Sequence, residues 1–281
     1  MRIRSKRGKV FRVLLYLFLI ASAVCCLFPF FWMIRSALMT NSEVFVFPPK
    51  MWPKEAHWEN FAKVLDYFPI FQYLKNTLTI LIPVLIGTVV TCPLCAYAFA
   101  RLNFPGQNLW YRVALSTLMI PFIVTFIPTY VFWSTLGLTD TFWPLIIPAW
   151  CGGGTFNVFM LRSFMMGIPR SYDEAARMDG AGHLYILYKI LVPLVRPALV
   201  TISLFTIMGT WNDYFYPMMY LQSERNYTLV LGIVQFQGAY NSQWNLAMAV
   251  SAIVIIPVIL VFFFGQKYFI EGASLQGGLK A

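Results

Sequence analysis

Two short stretches concentrate the groups able to do chemistry. The first is Ser171-Tyr-Asp173-Glu174-Ala175-Ala176-Arg-Met-Asp179-Gly180-Ala-Gly182, at the centre of the polar segment Arg162 to Pro197. The second is Trp211-Asn212-Asp213-Tyr214-Phe-Tyr216, where a lone carboxylate stands among rings inside an apolar run. Neither looks like a catalytic site, which would gather acids, His or Cys at one place. The acids of the first stretch are explained by a helix. Ser171 with Glu174 three residues on forms a capping box announced by Pro169, Asp173 and Glu174 fall at the positive helix start, and Ala175 and Ala176 favour helix. Gly180 or Gly182 then ends it, so the pattern predicts a helix of about two turns.

Other candidate motifs carry less. Cys92-Pro-Leu-Cys95 has the spacing of a redox pair, but it lacks the βαβ setting that gives such a pair meaning. It reads as two small buried thiols, like Cys25, Cys26 and Cys151. Gly152-Gly153-Gly154 is not followed by Gly-Lys-Ser/Thr, and that phosphate-cradling motif occurs nowhere in the chain. These glycines instead predict close helix packing or a local break. Asn226-Tyr-Thr228 is a formal glycosylation triplet to which no weight attaches. No metal site is expected, because the two histidines, His57 and His183, fall on opposite sides of the topology below.

The elements that hold these residues are membrane spans. Hydrophobic residues make up 59% of the 281 and charged residues only 11%, against roughly 45–50% and 25% in a soluble domain. Charge-free runs long enough to cross a bilayer recur, and the predicted spans are 11–34, 72–100, 109–136, 142–162, 198–221 and 244–268. Runs so uniformly apolar are helices rather than barrel strands. The fold class expected is therefore an all-α integral membrane protein of six transmembrane helices. A basic N-terminus, 1–10, precedes the transmembrane domain 11–268; a loop, 163–197, joins the fourth and fifth spans; a tail, 269–281, follows.

Orientation follows from Lys and Arg. With the N-terminus inside, fifteen of the twenty-one basic residues are cytoplasmic and only Arg35, Lys50, Lys54, Lys63, Lys75 and Arg225 lie outside. Both termini and the 163–197 loop are then cytoplasmic. The net charge of +10 is accounted for by this topology, and no nucleic acid is implied. The first apolar run continues through Trp32, beyond a usual ~7–15-residue signal core, so the first span is expected to stay uncleaved. The external segment Thr40 to Pro69 is Pro-rich; it reads as a solvated loop, although Trp52, Trp58 and Phe61 suit a docking surface.

Asp213 is the sole acid within a predicted span, and ionisable groups at membrane depth normally face a cavity or partner. With Trp211, Asn212, Tyr214 and Tyr216 it combines apolar ring faces with hydrogen-bonding groups, as a sugar requires. The alternative is that Asp213 reaches water or holds a neighbouring helix, and both readings stay open.

Glu174-Ala175-Ala176, three residues, Gly180, nine residues, then Ile190-Leu-Val192-Pro193 resembles the signature loop of permease subunits of binding-protein-dependent ABC importers. Val192 replaces the usual leucine. Phe47-Pro48, Trp58-Glu-Asn60-Phe61, Gly137-Leu-Thr-Asp140-Thr141, Thr210-Trp211-Asn212-Asp213 and Gly277-Gly278-Leu279-Lys280 are similar to the maltose-type carbohydrate permeases, specifically the six-span partner. The resemblance implies a bundle of kinked helices in a bacterial or archaeal-type inner membrane. It also implies four kinds of partner: a second, different permease subunit, two cytoplasmic ATP-binding subunits, an external solute-binding protein and a sugar substrate. ATP would bind to the partners, and this chain would carry no cofactor and no catalytic residue. Glu174, Ala175, Ala176, Asp179 and Gly180 would form the coupling helix that fits the ATPase, with the alanines allowing close approach and Glu174 and Asp179 offering charge-assisted contacts. The rival readings are a secondary transporter or channel, which should show paired intramembrane charges or an inverted repeat, and a membrane-embedded enzyme, which should show clustered acids, His or Cys at one face.

Overall fold

The computed structural model describes residues 6–239 and 243–278, and all its regular structure within them is helical. Arg2, Arg4, Leu279 and Lys280, which entered the charge and motif readings, lie outside the described residues.

α1 (Lys6–Ala37) is followed by the short α2 (Asn41–Val44) and by α3 (Glu59–Tyr67). α4 (Ile70–Arg101) has 32 residues, about 48 Å of helix at 1.5 Å per residue. It contains Pro83 and Pro93. The stretch predicted as the third span is two helices, α5 (Gln107–Ser116, prolonged by a 3-10 turn to Met119) and α6 (Phe122–Thr135), bent by 104°. The break falls at Ile120-Pro121, where proline removes a backbone donor and disfavours helix in the residue before it.

The fourth predicted span is also discontinuous, as α7 (Trp143–Trp150) and α8 (Thr155–Met166). Gly152, Gly153 and Gly154, all at positive φ, form the break, a conformation in which glycine alone is unstrained. At Gly153 a Cβ would lie 3.0 Å from Cys92 Cβ and 3.1 Å from the Cα of Thr88, so the same glycines also let α4 approach closely. α9 (Ser171–Met178) leads to α10 (His183–Tyr185), a π-helical run Ile186–Leu191 and α11 (Val192–Leu194). This run is bent by 82° from α12 (Arg196–Trp211). α13 (Phe215–Tyr220), α14 (Leu229–Ala239) and α15 (Trp244–Gly278) complete the chain. Among the described residues, four helical stretches, within α1, α4, α15 and across Trp143–Met166, are long and apolar enough to cross a membrane, or up to six if each bent pair counts as one span.

The chain forms two compact units, Met1–Pro69 with Ile233–Ile256, and Ile70–Gly232 with Pro257–Ala281. In the first, Asn60 Nδ2 donates to the carbonyls of Ala37 (2.8 Å) and Met39 (3.0 Å), satisfying groups that a helix end leaves without partners. Arg35, fully buried, donates from Nε and Nη2 to the carbonyl of Lys50 and lies over the Trp32 ring at 4.3 Å. Phe68 meets Phe236 edge to face.

The second unit is built on α4. Its C-terminal half packs Cys92, Ala96, Tyr97 and Ala100 against Val158, Leu161 and Met165 of α8, Ala176 of α9, Ile186, Leu187 and Leu191 of the π run, and Ala198 and Ile202 of α12. One apolar core thus joins α4 to α9 and the π-helical run of the polar loop.

Candidate coupling helix and pathway break

α9 starts differently from its predicted capping box. Arg170, not Ser171, holds the N-cap position, no side chain caps the helix, and Asp173 N–H and Glu174 N–H donate to the Arg170 carbonyl at 2.9 and 3.0 Å. Pro169 and Arg170 form a backbone turn that starts the helix one residue early, which puts Ser171 inside it. Glu174 is therefore not occupied in a reciprocal cap, and its side chain is exposed.

The other end is closed. Asp179 is the C-cap, Gly180 follows at φ 79°, Gly180 N–H donates to the Arg177 carbonyl and Ala181 N–H to the Ala176 carbonyl, both at 2.9 Å. That pair of bonds is a Schellman motif, which satisfies the last carbonyls and stops the helix abruptly. A Cβ at Gly180 would meet nothing within 4 Å, so the positive φ is what requires glycine there.

Of the residues expected to face a partner, Glu174, Ala175, Asp179 and Gly180 are exposed, with Tyr172 and Met178 beside them, while Ala176 is buried in the core. Asp173 is the other buried residue of α9. Its Oδ2 lies 2.9 Å from Nε of Arg101, the last residue of α4, and both side chains are more than nine-tenths buried. Arg101 Nη2 also donates to the carbonyl of Ile168 at 2.8 Å. One turn earlier on α4, the Tyr97 hydroxyl shares a 2.9 Å hydrogen bond with Nδ1 of His183, the first residue of α10. From the sequence alone Asp173 is only a favourable charge at a helix start. Beside α9, a cleft of about 520 Å³ is lined by Asp179, Gly180, Gly182, Tyr185 and Lys189 among others.

The residues expected to line a pathway lie in a helix break. α12 ends at Trp211, which is buried; Asn212 is exposed and its Nδ2 donates to the Met208 carbonyl at 2.8 Å. Asp213 and Tyr214 are half-buried, and α13 begins at Phe215. Tyr216 N–H donates to Asp213 Oδ1 at 3.3 Å, so this carboxylate caps the short helix that follows it. Phe122, the first residue of α6 after the Pro121 break, has its ring 5.7 Å from Phe215 and 6.4 Å from Tyr216. The two helix breaks thus meet in an aromatic cluster. Phe122 was missed from the sequence, and Pro121 was the signal that could have found it.

A second carboxylate holds this region. Asp140, at φ 58°, accepts from the backbone N–H of Gln222 and of Ser223 at 2.9 Å each and from the Ser223 hydroxyl. Asn226 Nδ2 donates to the Asp140 carbonyl at 2.8 Å, and Thr228 is buried, so the glycosylation triplet is occupied in the fold. Asn76 Nδ2, near the other end of α4, donates to the carbonyls of Arg225 (2.8 Å) and Tyr227 (2.9 Å).

Comparison with known proteins gives one family and a consistent set of relatives. The family profile "Binding-protein-dependent transport system inner membrane component" matches residues 90–273. The trehalose/maltose transport system permease protein MalG of Thermococcus litoralis is 32% identical over 96% of this chain and 97% of its own length. The arabinooligosaccharides transport system permease protein AraQ of Bacillus subtilis is 28% identical over 98% of each chain. Among solved structures, a chain of a bacterial ABC transporter that imports the acidic polysaccharide alginate superposes with a TM-score of 0.82 at 26% identity, covering 96% of this chain and 100% of that one.

Proposed function

The chain belongs to the inner membrane components of binding-protein-dependent transport systems, and from that premise we propose that it is the half of a sugar import pathway driven through α9 by a cytoplasmic ATPase. As a member of that family it is a permease subunit of an ABC importer, a transport component and not an enzyme. The substrate class rests on relatives whose names specify arabinooligosaccharides, diacetylchitobiose and trehalose or maltose. The assembly is a second, different permease subunit, two ATP-binding subunits and an external solute-binding protein. Both termini and the 163–197 loop face the cytoplasm, as the distribution of Lys and Arg favours.

The observation that carries this reading is the form of α9. A two-turn helix, stopped by a Schellman motif and fixed to the end of α4, presents Glu174, Ala175 and Asp179 outward. Small side chains admit a close partner surface, and two carboxylates give it charge-assisted contacts. Closing of the ATPase pair on ATP moves α9, and the packed spans, which have discrete rather than graded arrangements, switch between inward and outward openings. The substrate passes the aromatic break, where Asp213, Asn212, Tyr214 and Tyr216 supply hydrogen bonds beside ring faces.

Glu174→Arg in the complete transporter tests the coupling. The chain should still insert at wild-type level, with retention of the ATPase subunits on purification and uptake both falling at least tenfold. Wild-type uptake by that variant would sink the assignment.

A further inference from the structure

We propose that Arg101 and Tyr97 of α4 form a two-point clamp on the coupling helix, and that Arg101 is the positioning residue that delivers the helix's motion to the membrane-crossing part of the protein. The inference rests on α9 being the ATPase contact and names the joint behind it.

A helix of eight residues, followed by Gly180 and Gly182, is poorly suited to transmit force by itself. A push on its exposed face can be absorbed by rotation about the glycines, which have open space around them. The structure removes that freedom on both sides. Before the glycines, Asp173 is paired with Arg101, whose guanidinium also holds the Ile168 carbonyl ahead of α9. After them, His183 is bonded to Tyr97. Tyr97 and Arg101 are four residues apart and therefore lie above one another on one face of α4. One attachment would leave α9 free to swivel, whereas two attachments astride the glycines fix its direction relative to α4.

The chemistry of the buried pair points the same way. Stability alone would be served as well or better by apolar residues of similar volume, because two buried charges lose their hydration. This pair is also imperfectly satisfied: the two groups meet at 2.9 Å, yet Arg101 Nε has no aligned acceptor and Asp173 Oδ1 has no donor among the described residues. What a buried ion pair supplies that packing does not is a fixed direction between two elements. Because Ala176 of α9 already sits in the shared apolar core, the pair is not needed to attach the helix, only to orient it.

The test uses the complete transporter in lipid, with the five native cysteines replaced by alanine and spin labels on Met178→Cys of α9 and Leu94→Cys of α4. Label separations are measured by pulsed electron resonance without nucleotide and after trapping with MgATP and vanadate. In the parent, the separation should stay within about 2 Å on trapping, well short of the one-turn step of ~5 Å seen when packed elements slip. In Arg101→Met/Asp173→Val, which stays close to the original volume and removes both charges, the separation should shift or broaden by about that step. Arg101→Lys/Asp173→Glu should restore the parent behaviour. A double apolar variant that tracks the parent would overturn the clamp, as would a parent whose separation changes on trapping. Co-purification of the ATPase subunits is scored on every sample. Its loss from the parent labelled at Met178 but not from one labelled at Leu94 alone would support the α9 contact, and an unchanged separation in the double apolar variant with the ATPase retained would remove only the joint.

Discussion

Asp140 offers a perturbation whose size and pH dependence can both be worked out. Its carboxylate is the acceptor for two backbone N–H groups and one hydroxyl of a single loop. Asp140→Ala leaves these three donors without that acceptor. Bonds to a charged group contribute ~1.5–3 kcal/mol when buried, and since these donors are partly open to water about 1 kcal/mol each is the better figure. Alanine at φ 58° adds roughly 1 kcal/mol of backbone cost. The expected destabilisation is about 3–4 kcal/mol, or a drop of roughly 5–10 °C in the unfolding midpoint of the purified complex. Asp140→Asn keeps one acceptor oxygen and should lose about half as much.

The same carboxylate has a pH signature. Burial acts to raise its pKa, but the Ser223 hydroxyl and the Ser223 and Gln222 amides overcome this and hold it down from 3.8 to about 2. A depressed carboxyl pKa stabilises the fold at pH values above its unfolded value near 4. That stability is lost as pH falls from there through about 2. The full linkage would be ~2.5 kcal/mol, and solvent access reduces it to about 1–2 kcal/mol. The midpoint difference between wild type and Asp140→Asn, followed by intrinsic fluorescence, should therefore be constant from pH 7 to 5 and shrink as pH drops below 4. A difference that stays constant down to pH 2 would refute the reasoning.

Two glycine replacements separate backbone strain from crowding. Gly180→Ala, with open space around it, should cost about 1 kcal/mol, whereas Gly153→Ala, with Cα of Thr88 at 3.1 Å, should cost about 3 kcal/mol or more because overpacking is added; comparable midpoints would contradict this. Asp213→Asn keeps the oxygen that caps α13 and should leave stability within about 0.5 kcal/mol while lowering uptake several-fold. An unchanged uptake profile across sugars would assign Asp213 to helix capping alone.

Much of the architecture was written in composition and punctuation. The apolar runs marked the helices of α1, α4 and α15, and Gly180 marked the end of α9, because each depends on local sequence. The breaks were harder to read. A charge-free run such as 109–136 has the same hydropathy whether straight or bent, and only Pro121 betrays the turn. In α9 the sequence signals for a capping box were all present, yet the Pro169-Arg170 turn starts the helix earlier and leaves Ser171 without the role. The residue that matters most behind the exposed face, Asp173, was invisible as such, since its partner Arg101 is 72 positions away and only the fold brings them together. Asp140 was legible as part of a motif that resembles the maltose-type permeases, but its work on the 222–223 backbone was not.

The central claim is that the outward face of α9 is the seat of the ATPase. The direct measurement places a photoreactive amino acid at Ala175, at Met178 and, for comparison, at Phe71 on α4, in membranes that contain the whole transporter. Irradiation should join the chain to the ATP-binding subunit from Ala175 and Met178 and not from Phe71. Efficient assembly with adducts absent from both α9 positions would contradict the account.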